Sequence, residues 1–162
     1  MKRSNISNLT TRQALEQDMY GILDLFVHTI SFSCQNDYTH KQINAWVSSA
    51  KKPDPWLQKI NDQYFPVILI ENQIVGFGSL RIDGYIDFLY VDYNLQKKGI
   101  GSYLYNHLES NAIESNITAL TSDVSITALP FFQNKGFIII KEQYPMRQNI
   151  LLKNFKMIKK IS

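Results

Sequence analysis

The residues best suited by type and spacing to bind a ligand lie where a predicted strand is followed by a helix. An apolar run ends at Val91, and a short polar link leads to the stretch Gln96-Lys97-Lys98-Gly99-Ile100-Gly101-Ser102, where the helix is predicted to begin. Glycines at a helix N-terminus leave backbone N–H groups without intrahelical partners at the positive end of the helix dipole. The stretch therefore predicts a site for an anion such as a pyrophosphate, and Lys97 and Lys98 add mobile positive charge.

The spacing of the glycines excludes two other phosphate-binding motifs. A dinucleotide-binding fingerprint requires a third small residue three positions after its second glycine, and Leu104 occupies that position. A Walker loop requires Lys and then Ser or Thr directly after its last glycine, whereas Ser102 and Tyr103 follow Gly101. Considered alone, the glycines also fit an ordinary strand–turn–helix connection.

Composition limits the class of protein and its partners. The chain has 162 residues, of which 44% are apolar, and we expect residues 1–162 to form a single domain with its own core. The 17 Lys and Arg residues against 14 Asp and Glu give a net charge of +3, which favours an anionic ligand but is too small to predict binding to nucleic acid. No apolar run approaches the length that spans a bilayer, so we expect a cytoplasmic protein without a membrane partner.

Cysteine and histidine usage argues against a disulfide and against a metal site. Cys34 is the single cysteine and cannot form an internal disulfide, which fits a reducing compartment. The three histidines and Cys34 show no metal-ligand spacing, so no metal is predicted.

The elements that must position the glycine stretch are predicted from apolar periodicity. Residues 1–12 fit a first edge strand, and residues 16–31 have apolar residues at helical spacing. Thr39 is a suitable cap for a second helix, residues 51–55 read as a loop, and a short helix is expected at residues 56–61.

Three apolar runs precede the glycine stretch. They comprise residues 65–70, 74–80 and 85–91, and tight connections at residues 71–73 and 83–84 separate them. This arrangement predicts an antiparallel three-stranded meander.

The second half of the chain continues with alternating elements. They are a helix at residues 99–115, a strand at 117–121, a short helix at 127–135, a strand at 137–141 and a final strand at 151–158. The order predicts an α+β fold with a mixed sheet. The lysines of the last strand are typical of an edge strand, where they discourage pairing with another chain.

Several segments resemble the GNAT (GCN5-related) N-acetyltransferase superfamily. The stretch Gln96-Lys97-Lys98-Gly99-Ile100-Gly101 resembles its motif A, Q/R-x-x-G-x-G/A, and residues 86–91 are similar to its fourth strand. Residues 125–137, which end in Gly136-Phe137, resemble motif B. Residues 37–46 resemble a sequence common in a bacterial branch of small GNAT proteins, so the resemblance covers nearly the whole chain.

The resemblance implies both a fold and an activity. The fold is a central, mostly antiparallel sheet whose fourth and fifth strands splay apart, flanked by about four helices. The activity is direct transfer of an acetyl group from acetyl-CoA to the amine of a small molecule or a protein, by a monomer or a homodimer. The alternative is a non-catalytic module with the same fold that binds coenzyme A or senses a ligand.

The coenzyme contacts implied by the resemblance are mainly backbone groups. Leu89 and Val91 should pair with the pantetheine amides, and an N–H near Tyr90 should polarise the thioester carbonyl. Asn134 is expected to approach the coenzyme from motif B. The pyrophosphate should be held within the motif A stretch by Gln96, Lys97, Lys98, Gly99, Ile100, Gly101 and Ser102.

The sequence departs from the family at the residue that protonates the leaving thiolate. Phe132 occupies the position where many members have a tyrosine, and Ser125 replaces a frequent asparagine. Tyr144, Tyr103 and Ser125 are alternative proton donors. Because a thiol has a pKa of about 8.5, the reaction also permits no donor at all.

Asp87 is the best-placed carboxylate to accept a proton from the amine. Because side chains alternate along a strand, Asp87 is expected to share a face with Tyr85 and Leu89. The alternative is a structural carboxylate paired with Arg or Lys.

The acceptor site is expected between the first two helices and the sheet. Tyr38, His40 and Trp46 are its candidates, although Trp46 also fits the core and His40 also fits the surface. Cys34 would need a nearby base to act as a nucleophile, so direct transfer is expected.

Overall fold

A computed structural model describes Ile6 and residues 8–162. The first sheet is antiparallel, with the strand order β1 (Thr10–Gln13), β2 (Pro66–Ile70), β3 (Gln73–Leu80) and β4 (Ile86–Val91). Glu71 and Asn72 link β2 to β3 and both have positive φ angles, 49° and 67°. A two-residue turn of this kind matches the twist of the two strands and fixes their pairing.

Three helices cover one face of this sheet. They are α1 (Met19–Ser33), α2 (His40–Val47) and α3 (Pro53–Asp62). The Thr39 hydroxyl caps α2 as predicted, since it accepts a hydrogen bond from the Gln42 N–H at 3.2 Å. The loop predicted at residues 51–55 is wrong in its second half, because Pro53 begins α3, where its missing N–H costs nothing. Aromatic side chains fill the core between these helices and the sheet, with the rings of Trp56 and Phe88 stacked 4.5 Å apart.

Helix α4 (Ile100–Glu114) packs on the opposite face of the first sheet. Leu104 and Leu108 are fully buried there, one helical turn apart. The short helix α5 (Leu129–Asn134) follows the fifth strand. The described residues thus contain five α-helices, which correspond to the five helical segments predicted from the sequence.

The second sheet has the strand order β5 (Ala119–Ser125), β9 (Asn154–Lys160) and β6 (Ile138–Gln143). A short hairpin of β7 (Met146–Arg147) and β8 (Ile150–Leu151) lies between β6 and β9 along the chain. The prediction of an edge strand at the C-terminus is wrong, because β9 pairs with both neighbours and β6 lies at the edge. Phe155 and Met157 are buried, so one face of this central strand packs in the core.

The two sheets are joined at one place. Tyr85 and Thr121 form a parallel bridge, and the Ser122 hydroxyl donates to the Ile86 carbonyl at 2.9 Å. No further bridge connects β4 with β5 in the described residues, so the two strands diverge towards their C-terminal ends. The predicted mixed fold with a splayed pair of strands is confirmed.

Helices long and apolar enough to cross a membrane are absent from the described part of the chain.

Candidate active site

Two adjoining cavities lie beside the diverging strands. We call the first the strand groove; it has a volume of about 480 Å³ and runs between β4, the start of α4 and α5. We call the second the aromatic cavity; it has a volume of about 330 Å³ and lies between α1–α3 and the start of β9. Trp46, Tyr90 and Ser125 line both cavities, so the two spaces meet at these side chains.

The backbone of β4 presents groups to the strand groove that β3 does not pair, although the Val91 carbonyl already accepts from the Thr29 hydroxyl at 3.3 Å and from Gln96 Nε2 at 3.1 Å. The Asp92 N–H donates to the Val75 carbonyl of β3 at 2.8 Å. Because backbone groups alternate along a strand, Tyr90 also faces β3, while Leu89 and Val91 face the groove. The expectation for Leu89 and Val91 fits this arrangement. The Tyr90 N–H itself points to β3, so an N–H near Tyr90 that reaches the groove belongs to Leu89 or Val91.

The N-terminus of α4 forms one end of the strand groove. Gly99 precedes the helix with φ 90°, a conformation that favours glycine, and Lys97 has φ 61°. Gly101 lines the groove, whereas the side chain of Ile100 is 1% exposed and anchors the helix in the core. The backbone N–H groups of this first turn therefore stay available for an anion.

Gln96 and Lys98 have roles that differ from the expected ones. The Gln96 side chain donates to the Ser33 hydroxyl at 2.8 Å and to the Val91 carbonyl at 3.1 Å. It thus ties the loop before α4 to α1 and to the end of β4. Lys98 is exposed and is not among the residues that line the groove.

Lys135, which no sequence motif singled out, lies next to the strand groove through a contact with Ser102 but is not among the residues that line it. Its Nζ donates to the Ser102 hydroxyl at 2.8 Å, which places a cation beside the first turn of α4. Asn134, the predicted residue, lies at the exposed end of α5 and does not line the groove. Helical spacing is a signal that could have found Lys135, because it lies four residues after the groove-lining Phe131.

The predicted proton donors are found in different places. Tyr144 is 53% exposed, donates to Glu142 at 3.2 Å and lines neither cavity. Tyr103 accepts a hydrogen bond from Thr11 at 3.3 Å and likewise lies outside both cavities. Ser125 lies where the cavities meet and accepts a hydrogen bond from the Ala128 N–H at 3.0 Å, so its own proton remains free to be donated.

Tyr90 places a second hydroxyl at the same junction. The sequence reasoning considered only its backbone, although strand alternation from Phe88 places its ring on the helix side. Burial raises the pKa of Tyr90 above its ordinary value, so it is protonated near neutral pH. Phe132, which has no proton to donate, is 4% exposed and packs against the ring of Phe137 at 5.1 Å.

Asp87 lies in the aromatic cavity because of a bulge in β4. Ile86 pairs with Leu80 and Phe88 pairs with Ser79, so Asp87 is one extra residue that interrupts the alternation. The expected shared face with Leu89 is therefore wrong: Asp87 lines the aromatic cavity and Leu89 lines the groove.

The Asp87 carboxylate has one occupied and one free oxygen. Lys59 Nζ binds Oδ2 at 2.8 Å, and Gln63 Nε2 donates to the same oxygen at 3.1 Å. Within the described residues Oδ1 accepts no hydrogen bond from the protein. Asp87 thus forms an ion pair and still has an oxygen available for a ligand.

The three predicted acceptor residues have different environments. The Tyr38 hydroxyl donates to the Lys153 carbonyl at 2.6 Å and accepts from the Ile126 N–H at 3.0 Å. Burial raises the pKa of Tyr38 to about 12, so it cannot act as a base near neutral pH. Trp46 lines both cavities, whereas His40 is exposed and lines neither.

Cys34 lines the strand groove but is poorly suited to nucleophilic attack. Its side chain is buried, and burial raises the pKa of its thiol, which disfavours the reactive thiolate. Among the described residues, no group of three or more His, Cys, Asp and Glu side chains is arranged to hold a metal ion.

Comparisons with known proteins agree on one family. A family model described as an acetyltransferase (GNAT) domain matches residues 34–159. The uncharacterized N-acetyltransferase YafP of Escherichia coli strain K12 is 32% identical over 152 residues, which cover 94% of this chain and 96% of YafP.

Solved structures share the fold. A GCN5-related N-acetyltransferase from Rhodopseudomonas palustris superposes with a TM-score of 0.92 at 27% identity, covering 96% of this chain and 97% of the other. The PaiA N-acetyltransferase from Thermoplasma acidophilum, solved in complex with coenzyme A, gives a TM-score of 0.80 at 17% identity, covering 95% and 99%.

Proposed function

Because this chain belongs to the GNAT acetyltransferase family, we propose that it transfers an acetyl group from acetyl-CoA directly to the amine of a small molecule. The observation that carries this proposal is the junction of two cavities at Trp46, Tyr90 and Ser125. A donor in the groove and an acceptor in the aromatic cavity would meet at these side chains. A volume of about 330 Å³ suits a small acceptor.

The strand groove fits the chemistry of acetyl-CoA, which is a long ligand with phosphates at one end and amides along its arm. The first turn of α4 and Lys135 would hold the pyrophosphate, with Lys97 adding charge. The groove-facing backbone of Leu89 and Val91 would pair with the pantetheine amides. The coenzyme A complex of PaiA, which has the same fold, supports this assignment.

Acetyl-CoA supplies an activated thioester, and the residues at the junction handle the protons. Asp87 Oδ1 is the oxygen in the aromatic cavity that would accept the proton lost by the amine as its N–C bond forms. Direct transfer needs no acyl-enzyme, which agrees with the buried thiol of Cys34.

Tyr90 and Ser125 would stabilise the departing thiolate as the C–S bond breaks. A thiol has a pKa of about 8.5, and the pKa of Tyr90 lies above the ordinary tyrosine value of about 10. Complete proton transfer from Tyr90 to the thiolate is therefore unfavourable. We assign to Tyr90 a hydrogen bond to the sulfur, with solvent supplying the final proton.

The test is an acetyl-transfer assay. The purified chain is incubated with acetyl-CoA and a panel of small amines, thiol release is recorded, and the products are identified by mass spectrometry. Release that depends on both the amine and the protein is expected. Tight binding of acetyl-CoA without acetylation of any amine would overturn the proposed activity and favour a ligand-sensing module, the alternative suggested by Phe132.

A further inference from the structure

The charge of the aromatic cavity bears on which amines it accepts. Four cationic side chains line it against two carboxylates, which gives a net charge of +2. They are Lys52, Lys59, Arg147 and Lys153 against Asp87 and Asp123.

Both carboxylates already have partners from the protein. Asp87 is paired with Lys59 at 2.8 Å. Asp123 accepts from the Tyr85 hydroxyl at 2.9 Å through Oδ2 and from Gln143 Nε2 at 2.6 Å through Oδ1. Lys59 neutralises Asp87, whereas the two partners of Asp123 are neutral and leave its charge in place, so one negative charge faces the three remaining cations of the lining.

Two of the cations lack such partners. Lys52 and Arg147 form no salt bridge with Asp or Glu in the described part of the chain, whereas Lys153 lies 3.6 Å from Glu142. Arg147 belongs to the β7–β8 hairpin, and Lys52 lies between α2 and α3. Two separate elements thus contribute exposed, positively charged residues to the lining of the cavity.

The hairpin holds the backbone of Arg147 in a defined position. Gln148 and Asn149 form its turn with φ angles of 47° and 62°, which is the geometry of a tight two-residue hairpin. Gln42 Nε2 of α2 donates to the Leu151 carbonyl at 3.0 Å and ties the hairpin to the helices. The Arg147 side chain itself is exposed, and a guanidinium has the geometry to bind both oxygens of a carboxylate.

We propose that the acceptor is a small amine that also carries a carboxylate, with its apolar body against the aromatic side chains and its carboxylate at Arg147 and Lys52. This inference rests on the proposed acetyl transfer. Polyamines and other polycationic acceptors are disfavoured, because the lining carries a net charge of +2 and Asp123 is its one carboxylate without a salt bridge among the described residues.

The experiment compares matched amines that differ in one carboxylate. The pairs are L-phenylalanine with phenethylamine, L-tryptophan with tryptamine and 4-(aminomethyl)benzoate with benzylamine, and spermidine serves as a polycation. At least one carboxylated member is expected to have a kcat/KM at least tenfold above that of its partner. Equal or better turnover of every neutral partner, or of spermidine, would overturn the inference and leave acetyl transfer intact.

Variants test the two assigned cations. Arg147→Gln and Lys52→Gln are each expected to raise KM for the carboxylated amine about tenfold, with little change in kcat and none for the neutral partner, because only ground-state binding is lost. Lys51→Gln is the matched control, since Lys51 is the exposed neighbour of Lys52 and does not line the cavity. An unchanged ratio of kcat/KM between carboxylated and neutral amine in both Arg147→Gln and Lys52→Gln would contradict the assignment. Because this ratio is taken within one variant, partial misfolding does not alter it.

Failure of the proposed function is recognised separately. If no amine is acetylated, calorimetric titration of the same pairs into the protein saturated with coenzyme A gives the second readout. Tighter binding of the carboxylated members, weakened by Arg147→Gln, would retain the carboxylate site without acetyl transfer. Equal binding within each pair, or no binding, would overturn both.

Discussion

Asp87 combines an ion pair with a free acceptor atom, because Lys59 and Gln63 both bind Oδ2. Its position results from one extra residue in β4, which turns a side chain expected on the groove side into the aromatic cavity. Bulges are common beside active sites because they redirect a side chain without breaking the sheet.

Asp87→Asn is expected to lower kcat about 10²-fold, the lower end of the range for loss of a general base. The KM for acetyl-CoA should change little, because the backbone of β4 remains in place. The measurement is kcat against pH, with Asp62→Asn, an exposed carboxylate at the end of α3, as the control. Full activity with an unchanged pH profile in Asp87→Asn would make Asp87 a purely structural residue.

Tyr90→Phe is expected to lower kcat about tenfold, the value of one hydrogen bond to a charged group. The ring should stay in place, since its contacts with Phe26 and Phe77 at 5.3 and 5.4 Å do not involve the hydroxyl. Phe132→Tyr should be neutral or mildly activating. The measurement is kcat in steady-state kinetics with the best amine. Tyr103→Phe is the control; Tyr103 lies outside both cavities, so this variant should keep the wild-type kcat.

The start of α4 and the helix α5 together form one side of the strand groove. A Cβ atom at Gly101 would lie 3.3 Å from the ring of Phe131, so this turn has little room on the groove side. Lys135, which directly follows α5, donates to Ser102 at 2.8 Å. This contact joins the first turn of α4 to the end of α5, although the two residues are 33 positions apart in the chain.

Gly101→Glu is expected to abolish acetyl-CoA binding, because its side chain would enter the groove and place a negative charge beside the phosphates. Gly101→Ala is the matched control and should weaken binding much less, since the Phe131 ring needs to shift by only a few tenths of an ångström. Calorimetry measures the affinities, and circular dichroism checks that both variants are folded. Unchanged affinity in a folded Gly101→Glu protein would place the pyrophosphate elsewhere.

Local patterns predicted most of these elements. Apolar periodicity and the Thr39 cap correctly gave α1, α2, the meander and α4, because these signals lie within single segments. The bulge at Asp87 depends on the register between β3 and β4, and the central position of β9 depends on pairing with β5 and β6; periodicity within one segment reports neither. The hairpin that carries Arg147 was missed because its strands have only two residues each.

The two sheets contact each other through a short backbone join beside Gly84. Gly84 has φ 88°, its carbonyl accepts from the Thr121 N–H at 3.0 Å, and a Cβ atom there would overlap the Ala119 carbonyl. Position 84 therefore requires a glycine, because a side chain would clash there and other residues rarely adopt this backbone conformation.

Gly84→Ala is expected to lower the free energy of unfolding by more than about 2 kcal/mol, since backbone strain and a clash with backbone act together. Gly21→Ala is the control: this glycine lies exposed in α1, where an added Cβ meets only Ile74 at 3.7 Å, and should stabilise by about 0.5–1 kcal/mol. Urea denaturation measures both. Equal free energies of unfolding for Gly84→Ala and the wild type would show that the two sheets do not depend on the close backbone contact at Gly84.

The alternation of β4 has a consequence for amide hydrogen exchange. The N–H groups of Leu89 and Val91 face the groove, whereas those of Tyr90 and Asp92 face β3. Without a ligand, the first two should exchange with solvent deuterium much faster than the other two, although all four belong to one continuous strand. Saturation with coenzyme A should slow exchange at Leu89 and Val91 and leave Tyr90 and Asp92 nearly unchanged, so successive residues would report alternately on the ligand and on the sheet.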